Sequence, residues 1–156
     1  MRLPPFQEVI ERHGRDVYRV CAAVAGPAGA DDCYQETMLA ALAAYPGLRD
    51  PAVVRSWLLT IASRKAIDGH RAARRGAVPV AEPDTGGAPD PAPRDDALWA
   101  QVRELPDKQR VALAYRFVLD LAYREIGEAM GTSEEAARRN VFEGLRRLRG
   151  VPWLST

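Results

Sequence analysis

The sequence predicts an all-α protein of two small helical domains joined by an acidic, Pro/Gly-rich linker, and three observations carry that expectation. Apolar residues on either side of the centre recur at three- and four-residue spacing, without the strict alternation of a half-buried strand. Residues 76–94, GAVPVAEPDTGGAPDPAPR, hold five prolines, three glycines and no aromatic residue, a composition that sustains neither helix nor packed core. Charge also changes sign along the chain: Lys and Arg outnumber Asp and Glu by 11 to 8 over residues 1–75 and by 10 to 8 over residues 98–156, whereas residues 76–97 carry 1 against 5. The formal net charge of +1 is thus an average over unlike segments. The expected domains are residues 1–75 and 95–156. Residues 76–94 would form a flexible tether able to hold them up to roughly 60 Å apart, at about 3.1 Å per residue.

In the first domain, breaks at Gly26-Pro27, Pro46-Gly47 and Asp50-Pro51 separate three helices. The first runs from Phe6 to Val24. Asp31 or Asp32 is expected to cap the second, in which Tyr34, Met38, Leu42 and Tyr45 form a core-facing stripe. Asp32, Gln35, Glu36 and Leu39 then fall on the opposite face, which is polar with one exposed leucine. The third helix spans about Ala52 to Arg74, with Leu58, Ile61, Ala62 and Ala66 inward. Arg64, Asp68, Arg71 and Arg75 share one of its faces. Such a row of arginines can follow phosphates, with Asp68 ordering Arg64 or Arg71.

In the second domain, Asp95-Asp96 precede a helix carrying Leu98, Val102 and Leu105, and Pro106 opens another from Asp107 to about Val118 that buries Val111, Ala114 and Val118. The stretch AYREIGEAMGTSEEAARRNVFEGLRRLR holds the most specific local pattern. Ala122, Ile126, Ala129 and Met130 line one face of a short helix, which Gly131 ends by supplying a left-handed residue. Ser133 caps the next helix, and Glu134 and Glu135 sit at its positive end. Ala137, Val141, Leu145 and Leu148 recur on the inner side, leaving Glu134, Glu135, Arg138, Arg139, Phe142 and Arg146 outward. This is the layout of a helix-turn-helix, whose second helix enters the major groove. Arg138 and Arg139 can fork onto guanine or clamp phosphates, and a first-turn glutamate can accept a bond from cytosine N4. A helical hairpin with a merely solvated charged face is the bland alternative; arginines on both sides of a capped helix argue against it.

Other function classes find little support. No apolar run approaches the roughly 18 to 20 residues of a membrane span, and Met1 to Phe6 lacks a signal-peptide pattern, so no membrane partner and a cytoplasmic address are expected. Cys21 and Cys33 lack the spacing of a zinc or disulfide site and read as buried, reduced thiols. His13 and His70 have no second ligand or nucleophile beside them in sequence, so no metal, cofactor or catalytic residue is expected.

Three segments carry a family resemblance. DDCYQETMLAAL resembles the D-x-x-Q-E-T-F-x-x-A/L stretch of sigma region 2, RSWLLTIASRKAIDGHRAARR resembles its promoter-melting helix, and ELPDKQRVALAYRFVLDLAYREIGEAMG resembles region 4. Taken in order, they make the chain similar from end to end to an extracytoplasmic-function (ECF) sigma factor of the sigma-70 family. The resemblance implies a region 2 domain and a region 4 helix-turn-helix domain that bind core RNA polymerase and direct promoter recognition and melting. It implies that the clamp helices of the polymerase large subunit dock on Asp32, Gln35, Glu36 and Leu39, and that region 4 also touches the flap. It assigns the −10 element to Arg49, Arg55, Ser56, Trp57, Arg64, Lys65, Asp68, Arg71 and Arg75. It assigns the −35 element to Tyr123, Arg124, Ser133, Glu134, Glu135, Arg138, Arg139, Phe142 and Glu143. Trp57 also reads as a core anchor at a helix start. An anti-sigma partner is implied by analogy, and the acidic linker would run through the RNA exit channel.

The sequence departs from the family pattern at three places. Arg64 stands where many relatives have asparagine, Asp50-Pro51-Ala52-Val53-Val54 replaces a glycine-rich approach to the tryptophan, and Glu134 to Val141 replaces the commoner V-x-T-V-K-S-R-L. The promoter sequence read is expected to differ accordingly. The alternative reading is a sigma-like helix-turn-helix regulator without polymerase-dependent initiation.

Overall fold

The computed structural model describes residues 2–74 and 96–149; the expected linker of residues 76–94, and Arg75, lie outside them. The described residues form α-helices and short 3-10 turns, as the apolar spacing predicts. Helix α1 (Phe6–Ala25) starts behind Pro4-Pro5, whose fixed φ suits a helix entry, and stops at Gly26, whose φ of 92° lies in the region open to glycine. A turn at Pro27–Gly29 leads directly into α2 (Ala30–Ala44). Because the helix begins at Ala30, Asp31 and Asp32 lie inside its first turn and neither is its cap. Gly29 holds that position without a side-chain bond, and the carboxylates complement the positive end of the helix dipole from within its first turn. Helix α3 (Val54–Arg74) follows a turn at Pro51–Val53 that Asp50 caps by accepting the Ala52 N–H at 2.9 Å.

These three helices pack against one another pairwise. The buried line of α2 is Ala30, Cys33, Thr37, Met38 and Ala41, continued by Tyr45. It is turned by about one residue from the expected stripe. Tyr34 is only half-buried and Leu42 is 53% exposed. Small side chains let α2 approach its neighbours closely, and that geometry outweighs the larger apolar area Leu42 could have buried. In α3, Leu58, Ala62 and Ala66 are buried as expected, while Ile61 is half-buried. Cys21 and Cys33 are buried and free, and packing of α1 on α2 brings their sulfur atoms to 2.7 Å. The contact with Cys33 and burial both push the Cys21 thiol up, which keeps the thiol neutral.

The second lobe comprises α4 (Asp96–Val102), α5 (Asp107–Phe117), α6 (Tyr123–Met130) and α7 (Glu134–Leu148). Trp99 joins Val102 and Leu105 in its core, although Leu98 was the expected member and is half-buried. The Arg110 side chain is 1% exposed and is held by the Arg103 carbonyl at 3.1 Å and by Asp107.

The two lobes are packed together. Helix α5 lies on α1 and α6 lies on α3, and the buried apolar residues form one cluster running through both lobes. Tyr115 of α5 is fully buried and donates its hydroxyl to the Leu59 carbonyl of α3 at 2.6 Å. The Thr60 hydroxyl faces the carbonyls of Ser56 and Ala129, the second belonging to α6. A buried tyrosine hydroxyl needs such a partner, so the bond sets the register of the packing. Replacing fully buried Leu58 by alanine is expected to lower stability by about 2–5 kcal/mol in urea unfolding. Val53→Ala, at a 41% exposed position, is expected to stay within about 0.5 kcal/mol of wild type.

Candidate nucleic-acid interface

The geometry of the α6–α7 pair follows from a few residues between its helices. Glu125 Oε1 accepts the Ala122 N–H at 3.0 Å, which ties down the entry to α6. Ala122 itself is the exposed N-cap and no part of the inner face, where Ile126, Gly127 and Ala129 are buried. Gly131 adopts φ 69°, and the Thr132 N–H returns to the Gly127 carbonyl at 2.8 Å. Ser133 Oγ then accepts the Ala136 N–H at 3.1 Å, starting α7 as its sequence predicts. Gly127 is the residue that permits the tight crossing. A Cβ there would lie 2.8 Å from the Thr132 oxygen and 3.0 Å from the Ser133 oxygen. Gly144 serves α7 in a similar way, since a Cβ would meet Leu113 of α5 at 2.9 Å.

With its inner side seated, α7 presents Glu134, Glu135, Arg138, Arg139 and Arg146 to solvent, together with Phe142 at 53% exposure. The Tyr123 ring lies between two guanidinium groups, 4.6 Å from Arg116 and 5.0 Å from Arg138, with Phe142 at 6.3 Å between ring centroids. Stacking of this kind orients a planar guanidinium while leaving its donors free to fork. Arg138 is also 3.8 Å from Glu134. Arg124 is exposed on α6, whereas Glu143 is half-buried and accepts from Gln109 of α5 at 3.4 Å. The sequence reading placed Tyr123 and Arg138 in one set but missed Arg116. That residue reaches the ring only because the loop after α5 folds back, with Arg116 donating to the Leu121 carbonyl at 2.9 Å.

On the first lobe, Asp32, Gln35, Glu36 and Leu39 are all exposed, Leu39 at 67%, and Leu42 extends their apolar spot. Arg49, Arg64, Asp68 and Arg71 are exposed, while Arg55, Ser56, Trp57 and Lys65 are half-buried. Trp57 packs on Tyr45 with ring centroids 6.1 Å apart, and Tyr45 in turn meets Phe6 edge-on, so the tryptophan is built into an aromatic cluster. Arg71 pairs with Asp107 of the second lobe and not with Asp68. Arg55 pairs with Asp16 of α1 at 3.2 Å and with Glu125 of α6 at 3.6 Å. Packing against the second lobe thus supplies Arg71 with the carboxylate expected from Asp68.

Comparison with known proteins bears on this arrangement. Residues 9–76 match the family model for sigma-70 region 2, and residues 95–148 match that for sigma-70 region 4. The chain is 34% identical over 160 aligned residues to the ECF RNA polymerase sigma factor SigD of Mycobacterium tuberculosis, covering 92% of this chain and 75% of SigD. The chain belongs to the ECF sigma factors. Among solved structures, CnrH in complex with the cytosolic domain of CnrY superposes with a TM-score of 0.71 at 20% identity, over 97% of this chain and 89% of CnrH. The sigma factor RpoE of Bartonella quintana, in complex with the anti-sigma factor NepR, gives 0.69 at 16% identity, over 93% of this chain and 94% of RpoE. Such coverage means that the fold shared is that of both lobes. Among the described residues of this sigma factor, no helix is long and apolar enough to cross a membrane.

Two measurements check the local geometry. Glycine to alanine inside a helix ordinarily stabilises by up to about 1 kcal/mol, but the backbone contact at Gly127 reverses the sign. Gly127→Ala is expected to destabilise by about 1–3 kcal/mol, seen as a lowered melting temperature. His13 is held below its usual range by burial and by Arg55, with Asp16 acting in the opposite direction and Arg12 in the same one. The unfolded state therefore binds the proton more readily. His13 contributes stability that is present above its ordinary value of 6.5 and is lost as pH falls through its folded value. His13→Gln should flatten that part of the stability profile.

Proposed function

We propose that this sigma factor is a bivalent adaptor in which residues 1–75 dock on polymerase and open the −10 element, residues 76–94 tether, and residues 95–156 grip the −35 element. The observation that carries the reading is the exposed face of α7, with Arg138 stacked on Tyr123 at the mouth of a capped helix-turn-helix. Arg138 and Arg139 have the donors to fork onto a base edge, while Tyr123, Arg124 and Ser133 stand near the backbone path. The exposed glutamates Glu134 and Glu135 suit cytosine and keep phosphates at a distance. Arg116 joins this set through its contact with Tyr123.

On the first lobe, Asp32, Gln35, Glu36 and Leu39, with Leu42 beside them, form a polar face with an apolar centre that suits the clamp helices of the large subunit. Arg49, Arg55, Ser56, Arg64, Lys65, Arg71 and Arg75 follow the opened strand, and Trp57 supports the loop from within the aromatic cluster. Polymerase fixes the spacing of the two contacts, so the second becomes effectively intramolecular and neither lobe needs high affinity alone. The chain itself catalyses no reaction, works in the cytoplasm beside polymerase, and is open to control by an anti-sigma protein. The last point draws support from the likeness to RpoE, whose solved structure holds NepR.

Start-site-specific runoff transcription with purified core polymerase tests the reading, since specific tight DNA binding without polymerase would favour a stand-alone regulator. The combined change Q35A/E36A/L39A is expected to weaken core binding by about tenfold or more, with affinity for DNA unchanged. Arg138→Ala is expected to cost about 1–3 kcal/mol of promoter binding by the assembled holoenzyme and to relax preference at one −35 position.

A further inference from the structure

Cys21 and Cys33 are the chain's two cysteines, and neither belongs to the surfaces assigned to polymerase or DNA. Cys21 lies near the end of α1 and Cys33 in the first turns of α2, with the short turn Pro27–Gly29 between the helices. Their buried neighbours are small: Ala22 and Ala23 on one helix, Ala30, Thr37 and Ala41 on the other. Small side chains let the two backbones come close, and the sulfur atoms meet at 2.7 Å. A disulfide spans about 2.05 Å, so closing the bond moves the sulfurs together by about 0.7 Å.

Two free thiols in contact differ chemically from a lone cysteine, because the first to be oxidised already has its resolving partner beside it. Cys33 is 4% exposed and Cys21 fully buried, so the way in is narrow and lies on the Cys33 side. Contact with Cys33 and burial push the Cys21 thiol up, while the Thr37 hydroxyl acts in the opposite direction. Cys21 is therefore suited to resolving an oxidised partner rather than to the first attack.

We propose that Cys21 and Cys33 form a site of reversible oxidation, closed to a disulfide by a small peroxide and reopened by a dithiol, which ties α2 to α1 within the native fold. The Cys33 thiolate attacks one oxygen of hydrogen peroxide, the O–O bond breaks, and Cys33 becomes a sulfenic acid while the released hydroxide takes up the thiol's proton and leaves as water. Cys21 Sγ then attacks the sulfenic sulfur and gives up its proton, the S–O bond breaks, and a second water leaves. Two thiols thus lose two electrons to one peroxide, giving one disulfide and two waters. In a reducing compartment the pair rests as thiols, so the bond marks exposure to an oxidant. It closes the loop between positions 21 and 33 and pins the helix whose exposed side carries Asp32, Gln35, Glu36 and Leu39.

The folded full chain is treated with excess hydrogen peroxide, quenched in acid, unfolded, and alkylated at whatever thiols remain. Mass spectrometry is expected to find no alkylated cysteine and a Cys21–Cys33 link in the peptide digest, with dithiothreitol restoring two alkylatable thiols. The oxidised chain is expected to melt roughly 5 °C or more above the same sample after dithiothreitol, which reopens the link and leaves any methionine sulfoxide in place. Two alkylatable thiols after treatment, separate sulfinic acids without a link, or links only between chains would overturn the proposal, as would a linked chain that melts no higher. Cys33→Ala deletes the attacking thiol, and folded C33A, checked by circular dichroism, is expected to lose both the link and the dithiothreitol-sensitive gain in melting temperature. Cys21→Ala serves where C33A does not fold and is expected to lose both as well. A dithiothreitol-sensitive gain in either folded variant would overturn the Cys21–Cys33 bond as its cause.

Discussion

The structure depends on apolar surface that the two lobes bury against each other. The buried fraction of a chain falls as the chain shortens, so two small lobes gain by covering part of each other's surface. Here α1 and α3 offer one apolar face, α5 and α6 offer another, and the buried residues of both join in a single cluster. Tyr115 concentrates the constraint. Its ring takes full advantage of burial, and its hydroxyl must find an acceptor once water is excluded, so a register that brings the Leu59 carbonyl to it satisfies both demands.

That packing links stability to function. The same helix, α3, supplies Leu58, Ala62 and Ala66 to the core and Arg55, Arg64 and Arg71 to the charged face. A helix with two such faces can be held by its inner side while its outer side exchanges partners. Helix α7 is arranged otherwise. Its seat is made inside its own lobe, by Gly144 against Leu113 and by the close crossing at Gly127, so its outer face stays free.

Much of this was legible in the residues. Several helix limits followed from Gly26, Asp50, Gly131 and Ser133, each of which imposes a local backbone or capping requirement whatever surrounds it. The outward face of α7 was legible for the same reason, since four inward apolar residues define the opposite side. The inner face of α2 was legible only in part, at Met38 and Tyr45. Size-weighted reading chose Leu42, whereas close helix approach selected Ala30, Cys33, Thr37 and Ala41. Asp31 and Asp32 were misread as caps because the preceding turn lets the helix begin earlier, at Ala30. The proximity of Cys21 to Cys33, and of Arg116 to Tyr123, joins positions whose separation in sequence carries no sign of contact.

By itself the sequence determined the helical class, the paired helices α6 and α7 and the family, because these rest on local backbone preference and on motifs contained in single segments. Only the tertiary structure decided which carboxylates meet Arg55 and Arg71, what Tyr115 bonds to, and that the lobes lie against each other. Those choices are made between groups 36 to 70 residues apart in the chain. They depend on the complementary shape of whole surfaces, a property no single segment encodes.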